Sequence, residues 1–146
     1  MVIMSVDYGD VRTGLAVCDR LELLATPVRV ITERSQGQLI IQIAALAAKK
    51  KVERFVVGYP KNMDASEGER AQKCAAFAIT LGEQTGLPVD LWDERLTTVS
   101  AYQILHAAEV PGKKNRQIVD SVAAVLILQD FLDWRKNQKE NSEDGL

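Results

Sequence analysis

The chain of 146 residues has a single histidine and only two cysteines. His106 lies between Leu105 and Ala107 with no cysteine beside it, so neither a zinc-ligand spacing nor a histidine-centred catalyst is expected. Cys18 and Cys74 sit in apolar segments without metal-ligand spacing. That is the usage of reduced, buried thiols in a cytoplasmic protein rather than of a disulfide framework. No stretch reaches the roughly eighteen apolar residues of a transmembrane helix, and the N-terminus reads as a strand, not a signal peptide. A large charge of either sign is also lacking. At a net charge of −2, no overall positive field draws the chain to a polyanion, and any such binding needs a local patch.

What is present is ordinary for a soluble globular protein, 47% apolar and 26% charged residues, in a length that suits one domain with a real core. The pattern is anchored by Val2-Ile3-Met4-Ser5-Val6-Asp7-Tyr8-Gly9. Strand alternation sends Val2, Met4 and Val6 to one side and Ile3, Ser5 and Asp7 to the other. An aspartate thus ends a buried strand, the place where sheets flanked by helices bind ligands. Asp7 before a Gly9 turn also has an ordinary explanation, since Asp favours turns. Burial of an unpaired carboxylate, however, costs several kcal/mol.

Thr13 to Cys18 reads as a second strand, with Gly14 leaving room for close approach, and Leu24 to Ile31 as a third whose Pro27 suits a sheet edge. Their short connections predict an antiparallel meander. Ser35 caps a helix to about Lys50, with Leu39, Ile40, Ile43, Ala44, Leu46 and Ala47 as its buried stripe. Arg54 to Tyr59 is an apolar fourth strand, and the helical crossover before it implies parallel pairing. Ser66-Glu67-Gly68-Glu69 matches a capping box opening a second helix with the stripe Ala71, Cys74, Ala75, Ala78 and Leu81, ended by Gly86 and Pro88. Val89 to Trp92 is a short fifth strand leading to Asp93-Glu94-Arg95. A third helix is expected from Thr97 or Thr98 to about Ala108, then a basic loop from Pro111 to Arg116, then a last helix from Ile118 to Trp134. The polar, aperiodic tail over 135–146 is expected to be disordered. The sum is one α/β domain over 1–134. It has a five-stranded mixed sheet, three antiparallel strands and then two parallel, with helices on both faces.

The acids stand out against this frame. Asp7 ends strand one, Asp93 and Glu94 end strand five, and Asp120 lies near the start of the last helix. Steps of three and four from Asp120 meet Ala123, Ala124, Ile127 and Phe131, so this carboxylate shares the helix's core-facing side. Attraction to the helix N-terminus explains its position along the helix but not its face. Carboxylates that converge repel one another unless a cation lies between them. Oxygen ligands without His or Cys suit Mg²⁺ or Mn²⁺, one ion or two, which support phosphodiester hydrolysis. Arg12, Lys61, Arg95, Lys113, Lys114 and Arg116 fall in loops expected at the same sheet edge, where they suit phosphates. Each alone is equally a solvated surface charge.

Four stretches resemble one family in order. They are Asp7-Tyr8-Gly9 with Arg12 and Gly14-Leu15-Ala16; Val57-Gly58-Tyr59-Pro60 through Asn62-Met63-Asp64, Glu67-Gly68 and Arg70-Ala71; Asp93-Glu94-Arg95-Leu96-Thr97-Thr98; and Asp120-Ser121-Val122-Ala123-Ala124 with Leu126-Ile127-Leu128. Together they resemble the YqgF family over about residues 1–134. The resemblance implies an RNase H-like fold and a metal-dependent nuclease acting on structured nucleic acid. That nuclease would mature the 5′ end of pre-16S rRNA in the bacterial cytoplasm, or act as a Holliday junction resolvase on branched DNA. Carried over by position, the catalytic and metal-binding acids are Asp7, Glu94 and Asp120, with Asp93 on the opposite face of strand five if Leu91 and Asp93 share a side. One departure stands out. RNase H-like resolvases usually carry an acid at the end of strand four, where this chain has Val57-Gly58-Tyr59-Pro60. Glu94 from the neighbouring strand is the expected replacement. Two other readings compete. One is a non-catalytic factor bound to RNA or to the ribosome and its precursors; the other is half of an actin-like ATPase, for which the chain is too short. A homodimer is open, with helix three around Tyr102 and Leu105 as a candidate face.

Overall fold

The computed structural model describes residues 1–61, 66–94 and 112–144, the side chains at 112–121 and 142–144 excepted. At its centre is β1 (Ile3–Asp7), hydrogen-bonded on one side to β2 (Arg12–Cys18) and on the other to β4 (Arg54–Tyr59). β3 (Ala25–Thr32) pairs antiparallel with β2 and forms one edge; β5 (Val89–Asp93) pairs parallel with β4 and forms the other. The strand order is β3-β2-β1-β4-β5, a mixed five-stranded sheet. Pro27 sits on an edge strand as its missing N–H requires, opposite Ala16 beside a register shift at Leu15/Ala16.

The alternation read in β1 decides the layers. Met4 and Val6 join Leu15, Phe55 and Val57 under α1 (Gln36–Lys50) and α2 (Glu69–Thr85). Ile3 joins Ala16, Val56 and Trp92 under α3 (Gly112–Asp144), where Ser5 Oγ donates to the Ala124 carbonyl at 2.7 Å. Asp7, two residues beyond Ser5, therefore ends the strand on the α3 side.

α1 starts where its cap predicts, with the Gln38 N–H donating to Ser35 Oγ at 3.3 Å. α2 does not. Its N-cap is Gly68 without a side-chain cap, and the helix begins at Glu69 rather than at the Ser66 capping box. The start is set instead by Arg70, which the β1–β2 turn holds. The stripe of α2 includes Phe77, whose ring stacks on Tyr8 with centroids 4.1 Å apart. α3 is longer than expected at both ends. It takes in residues 112–116, read as a basic loop, and residues 135–144, read as a disordered tail. The tail is rich in helix-forming Arg, Lys, Gln and Glu. It is also tied down, because Arg135 Nε donates to Glu22 Oε1 at 2.8 Å with Lys139 Nζ 3.8 Å from the same carboxylate. The helix expected over 97–108, including Tyr102 and Leu105, lies outside the described residues.

Contacts along α3 give its direction. Ala124 meets Ser5, Gln129 meets Leu23 and Ala25, and Arg135 meets Glu22 near Met1. The helix thus runs antiparallel to β1, and its N-terminal half points towards the carboxyl ends of β1, β4 and β5.

Candidate active site

The site begins with the turn that follows Asp7. A side chain at Gly9 would collide with the Arg12 carbonyl oxygen, so the chain can reverse this tightly only with glycine there. Thr13, fully buried, ties the turn from below by accepting from the Gly9 N–H at 3.3 Å. Asp7 is half-buried and pairs in register with Gly14, which has no side chain to crowd it.

Two strands away, the chain leaves β5 at Glu94. Trp92 packs against Phe131 on the α3 side of the sheet, and Glu94 follows two residues later on that same side. Its position is made by Gly58. A Cβ at Gly58 would lie 3.2 Å from the Glu94 Cδ, 3.4 Å from its Oε2 and 2.9 Å from the Ile127 Cδ1. The carboxyl group therefore rests over the bare backbone of β4 where a side chain would stand. Tyr59↔Asp93 is the last register pair of the two strands, which puts Asp93 one residue out of phase with Glu94. Burial pushes the Glu94 carboxyl above the usual glutamate range; Arg70 opposes the shift and Asp93 adds to it.

Arg70 links the two acids, and the sequence reading gave it no part in the site. From the first turn of α2 its Nη2 donates to the Tyr8 carbonyl at 2.6 Å and its Nη1 to Asp10 Oδ1 at 2.9 Å. The guanidinium lies 5.0 Å over the Tyr8 ring. The turn after Asp7 is thus fastened to α2 while the same positive charge favours ionised Glu94. Cys74, one turn along α2, has its thiol pushed up by burial, with smaller effects from both Glu94 and Asp7, so all four groups share one neighbourhood. The signal available in the sequence was the Arg70-Ala71 pair within the second motif.

Asp120 belongs to α3 about two turns after its start at Gly112, too deep for attraction to the helix N-terminus to explain it. It stands one turn before Ala124, the partner of Ser5, in the direction of Asp7. A helical turn rises about 5.4 Å and two strand residues about 6.6 Å, so the two backbone positions fall level. The Asp120 side chain lies outside the described residues, as do those of Lys113, Lys114 and Arg116, whose backbone opens α3, and Arg95 altogether. Arg12 starts β2 beside the Asp7 turn, and Lys61 follows β4 with its Nζ 5.3 Å over the Tyr59 ring. Both therefore stand at the carboxyl edge of β1 and β4.

The family model described as "RuvX: Holliday junction resolvase" matches residues 1–134. The chain belongs to the RuvX (YqgF) family. It is 42% identical over 135 residues to a protein of Halothermothrix orenii, covering 92% of this chain and 96% of that one. It is 39% identical over 142 residues to one of Agathobacter rectalis, covering 95% and 99%. Both are named "Putative pre-16S rRNA nuclease". Among solved structures it is similar to Thermus thermophilus RuvC in complex with a Holliday junction substrate. The TM-score is 0.56 and the identity 14%, over 92% of this chain and 96% of that one. That likeness carries the fold, which is RNase H-like.

In this RuvX chain the donor set suits a hard divalent cation. Among the described side chains no three His, Cys, Asp or Glu gather closely enough to hold a metal, and the Asp120 side chain is not among them. The described pair, Asp7 and Glu94, offers carboxylate oxygens only. Burial of Glu94 disfavours its charge, which a cation would restore.

Proposed function

We propose that this protein is a metal-dependent nuclease that hydrolyses phosphodiester bonds in structured nucleic acid, and that its substrate is the 5′ end of pre-16S rRNA in the cytoplasm. The observation that carries the reading is the pair Asp7 and Glu94 at the carboxyl ends of β1 and β5, both on the α3 side, with Gly58, which has no side chain, on the strand between them. Asp7, Glu94 and Asp120 would hold Mg²⁺ or Mn²⁺, one ion or two, which would supply activation of water and stabilisation of the leaving oxygen. Arg70 favours the charged form of Glu94 against its burial and holds the Asp7 turn in place. Arg12, Lys61, Arg95, Lys113, Lys114 and Arg116 receive phosphates at this edge and hold the strand in line. The names of the relatives support RNA as substrate; the family description supports branched DNA as the second reading.

The deciding experiment incubates a labelled 16S precursor fragment and a four-way DNA junction with Mn²⁺ or Mg²⁺ and with chelator, beside Asp7→Asn. Metal-dependent cutting of the RNA, reduced at least tenfold by Asp7→Asn in a protein of unchanged fold, is expected. Cutting of the junction alone would move the substrate to DNA. RNA binding without cutting of either would make the protein a non-catalytic RNA- or ribosome-associated factor. Metal-free unfolding of Asp7→Asn would make Asp7 structural.

A further inference from the structure

Away from the acids, the α3 side of the sheet holds a second concavity. A cleft of about 450 Å³ opens between the β5 edge and the C-terminal half of α3, lined by Arg54, Leu91, Trp92, Phe131, Trp134 and Arg135 among others. We propose that this cleft binds an unpaired nucleobase of the substrate's single-stranded flank by stacking it on Trp134; the inference rests on the nuclease reading and names the strand that the site takes.

The aromatic wall is preassembled. Phe131 stacks on Trp134 at 6.1 Å and 24°, and Trp92 meets the edges of both at 5.9 and 6.1 Å. Trp92 is buried and anchors the wall, whereas Trp134 is 45% exposed. A tryptophan half open to solvent and held by two buried rings is a rigid platform, and base stacking on such platforms tolerates any sequence. Leu91, 41% exposed, borders the cleft from the edge strand. The rim carries two arginines, Arg54 and Arg135, and two aspartates, Asp90 and Asp93, so phosphate contact falls to the guanidinium donors rather than to a net positive field. Arg54 uses Nη1 on Asp90 at 2.8 Å and Arg135 uses Nε on Glu22 at 2.8 Å, which leaves each guanidinium further N–H donors for phosphate.

Position ties the cleft to the acids. Trp92 and Glu94 are alternate residues on one face, about 7 Å apart along the strand. A strand held at the acids that continues along the outside of β5 reaches the exposed face of Trp134. A second copy of this chain is the weaker occupant, because a two-fold contact would set one concave cleft against another and leave it unfilled.

The chain has two tryptophans and both line this cleft, so its intrinsic fluorescence reports the site directly. The protein is titrated in chelator with single-stranded decauridylate and with a paired RNA duplex of the same length. Quenching by the single strand only is expected, with affinity reduced about tenfold or more by Trp134→Ala and within threefold of wild type in Trp134→Phe. Leu91→Glu, which adds a negative charge on the exposed edge strand bordering the cleft, should weaken the same binding by repulsion and guards against misfolding of the alanine variant. Unquenched fluorescence, or unchanged affinity in Trp134→Ala and Leu91→Glu, overturns the proposal. So does a dimer that Trp134→Ala converts to monomer, which would make the cleft a self-association face. Cleavage of a fully paired substrate with Mn²⁺ separates the two readings. If Trp134→Ala cuts it as wild type does while single strands fail to quench either protein, the cleft fails and the nuclease stands. If wild type cuts nothing but single strands quench, the nuclease reading fails and the cleft stands.

Discussion

Gly58→Ala tests the central geometry because the methyl group must enter the space that Glu94 occupies. Gly58 lies in β4 and not in the left-handed region, so alanine meets no backbone strain, and the smaller entropy of the unfolded chain favours the folded state by about 0.4–1 kcal/mol. Against this, the new Cβ would sit 2.9 Å from Ile127 Cδ1 and 3.2 Å from Glu94 Cδ. Overpacking of this kind costs about 1–3 kcal/mol, which leaves a net loss of about 1–2 kcal/mol and a Tm lower by a few degrees. Activity should suffer more than stability. Glu94 must retreat by several tenths of an ångström, and where a 1 Å misplacement costs about 100-fold, about tenfold is expected here. The assay is metal-dependent cleavage of the precursor fragment beside thermal unfolding. Adding Ile127→Val removes the nearest clashing atom and should recover part of the stability, less than additively, while activity stays low. Full activity in Gly58→Ala would refute the placement of Glu94 as functional. Recovery of activity by Ile127→Val would show that the helix, not the carboxylate, had moved.

Glu94→Gln should raise the Tm in chelator at pH 7–8, because burial lifts the folded-state pKa above the ordinary 4.5 and ionisation is then a burden on the folded state. The advantage should vanish near pH 4, where the glutamate is protonated folded or unfolded; a glutamine variant less stable at pH 8 would refute this. Arg70→Met should cost about 1–2 kcal/mol by leaving the Tyr8 carbonyl without its charged donor, and Arg70→Lys should restore only part of it, since one ammonium cannot span Tyr8 and Asp10. Equal stability of Lys and Arg in urea unfolding would deny the fork its role. Burial works against charged Glu22, yet Arg135 and the Met1 amine together hold its pKa below the ordinary 4.5. The clamp therefore stabilises above about pH 4.5 and is lost as pH falls further, and a double-mutant cycle of Glu22→Gln with Arg135→Ala should show coupling at pH 7 but not at pH 3.

The sheet was legible because its evidence is local. Alternation in β1 and β4, Pro27 at an edge and the cap at Ser35 each follow from a few neighbouring residues. The errors come from contacts distant in sequence. The start of α2 moves from Ser66 to Glu69 because Arg70 is held by Tyr8 and Asp10, about sixty positions earlier, and no pattern near Ser66 records that. Helix beyond Trp134 is aperiodic in sequence because, among the described residues, the Glu22 carboxylate is what its cations hold, and one anchor makes no stripe. Asp7 and Glu94 were visible as acids at strand ends. Arg70 was not, since a lone arginine at the head of a helix is ordinarily a surface charge.

The absence of an acid on β4 then has a structural reason. β1 and β5 flank β4, so with strands about 4.8 Å apart the Asp7 and Glu94 backbones stand roughly 10 Å from one another. An aspartate on β5 would fall short across that gap; a glutamate reaches inward, and Gly58 leaves the space open for it. The two features need each other. With any side chain at position 58 the glutamate would be pushed back over β5, and with a shorter acid at 94 the bare glycine would leave a hole beside Ile127. On the proposed reading, the departure from the usual resolvase pattern is a displacement of the carboxylate by one strand. The charge is kept at the middle of the sheet edge while its attachment moves to the outermost strand, beside the aromatic cleft.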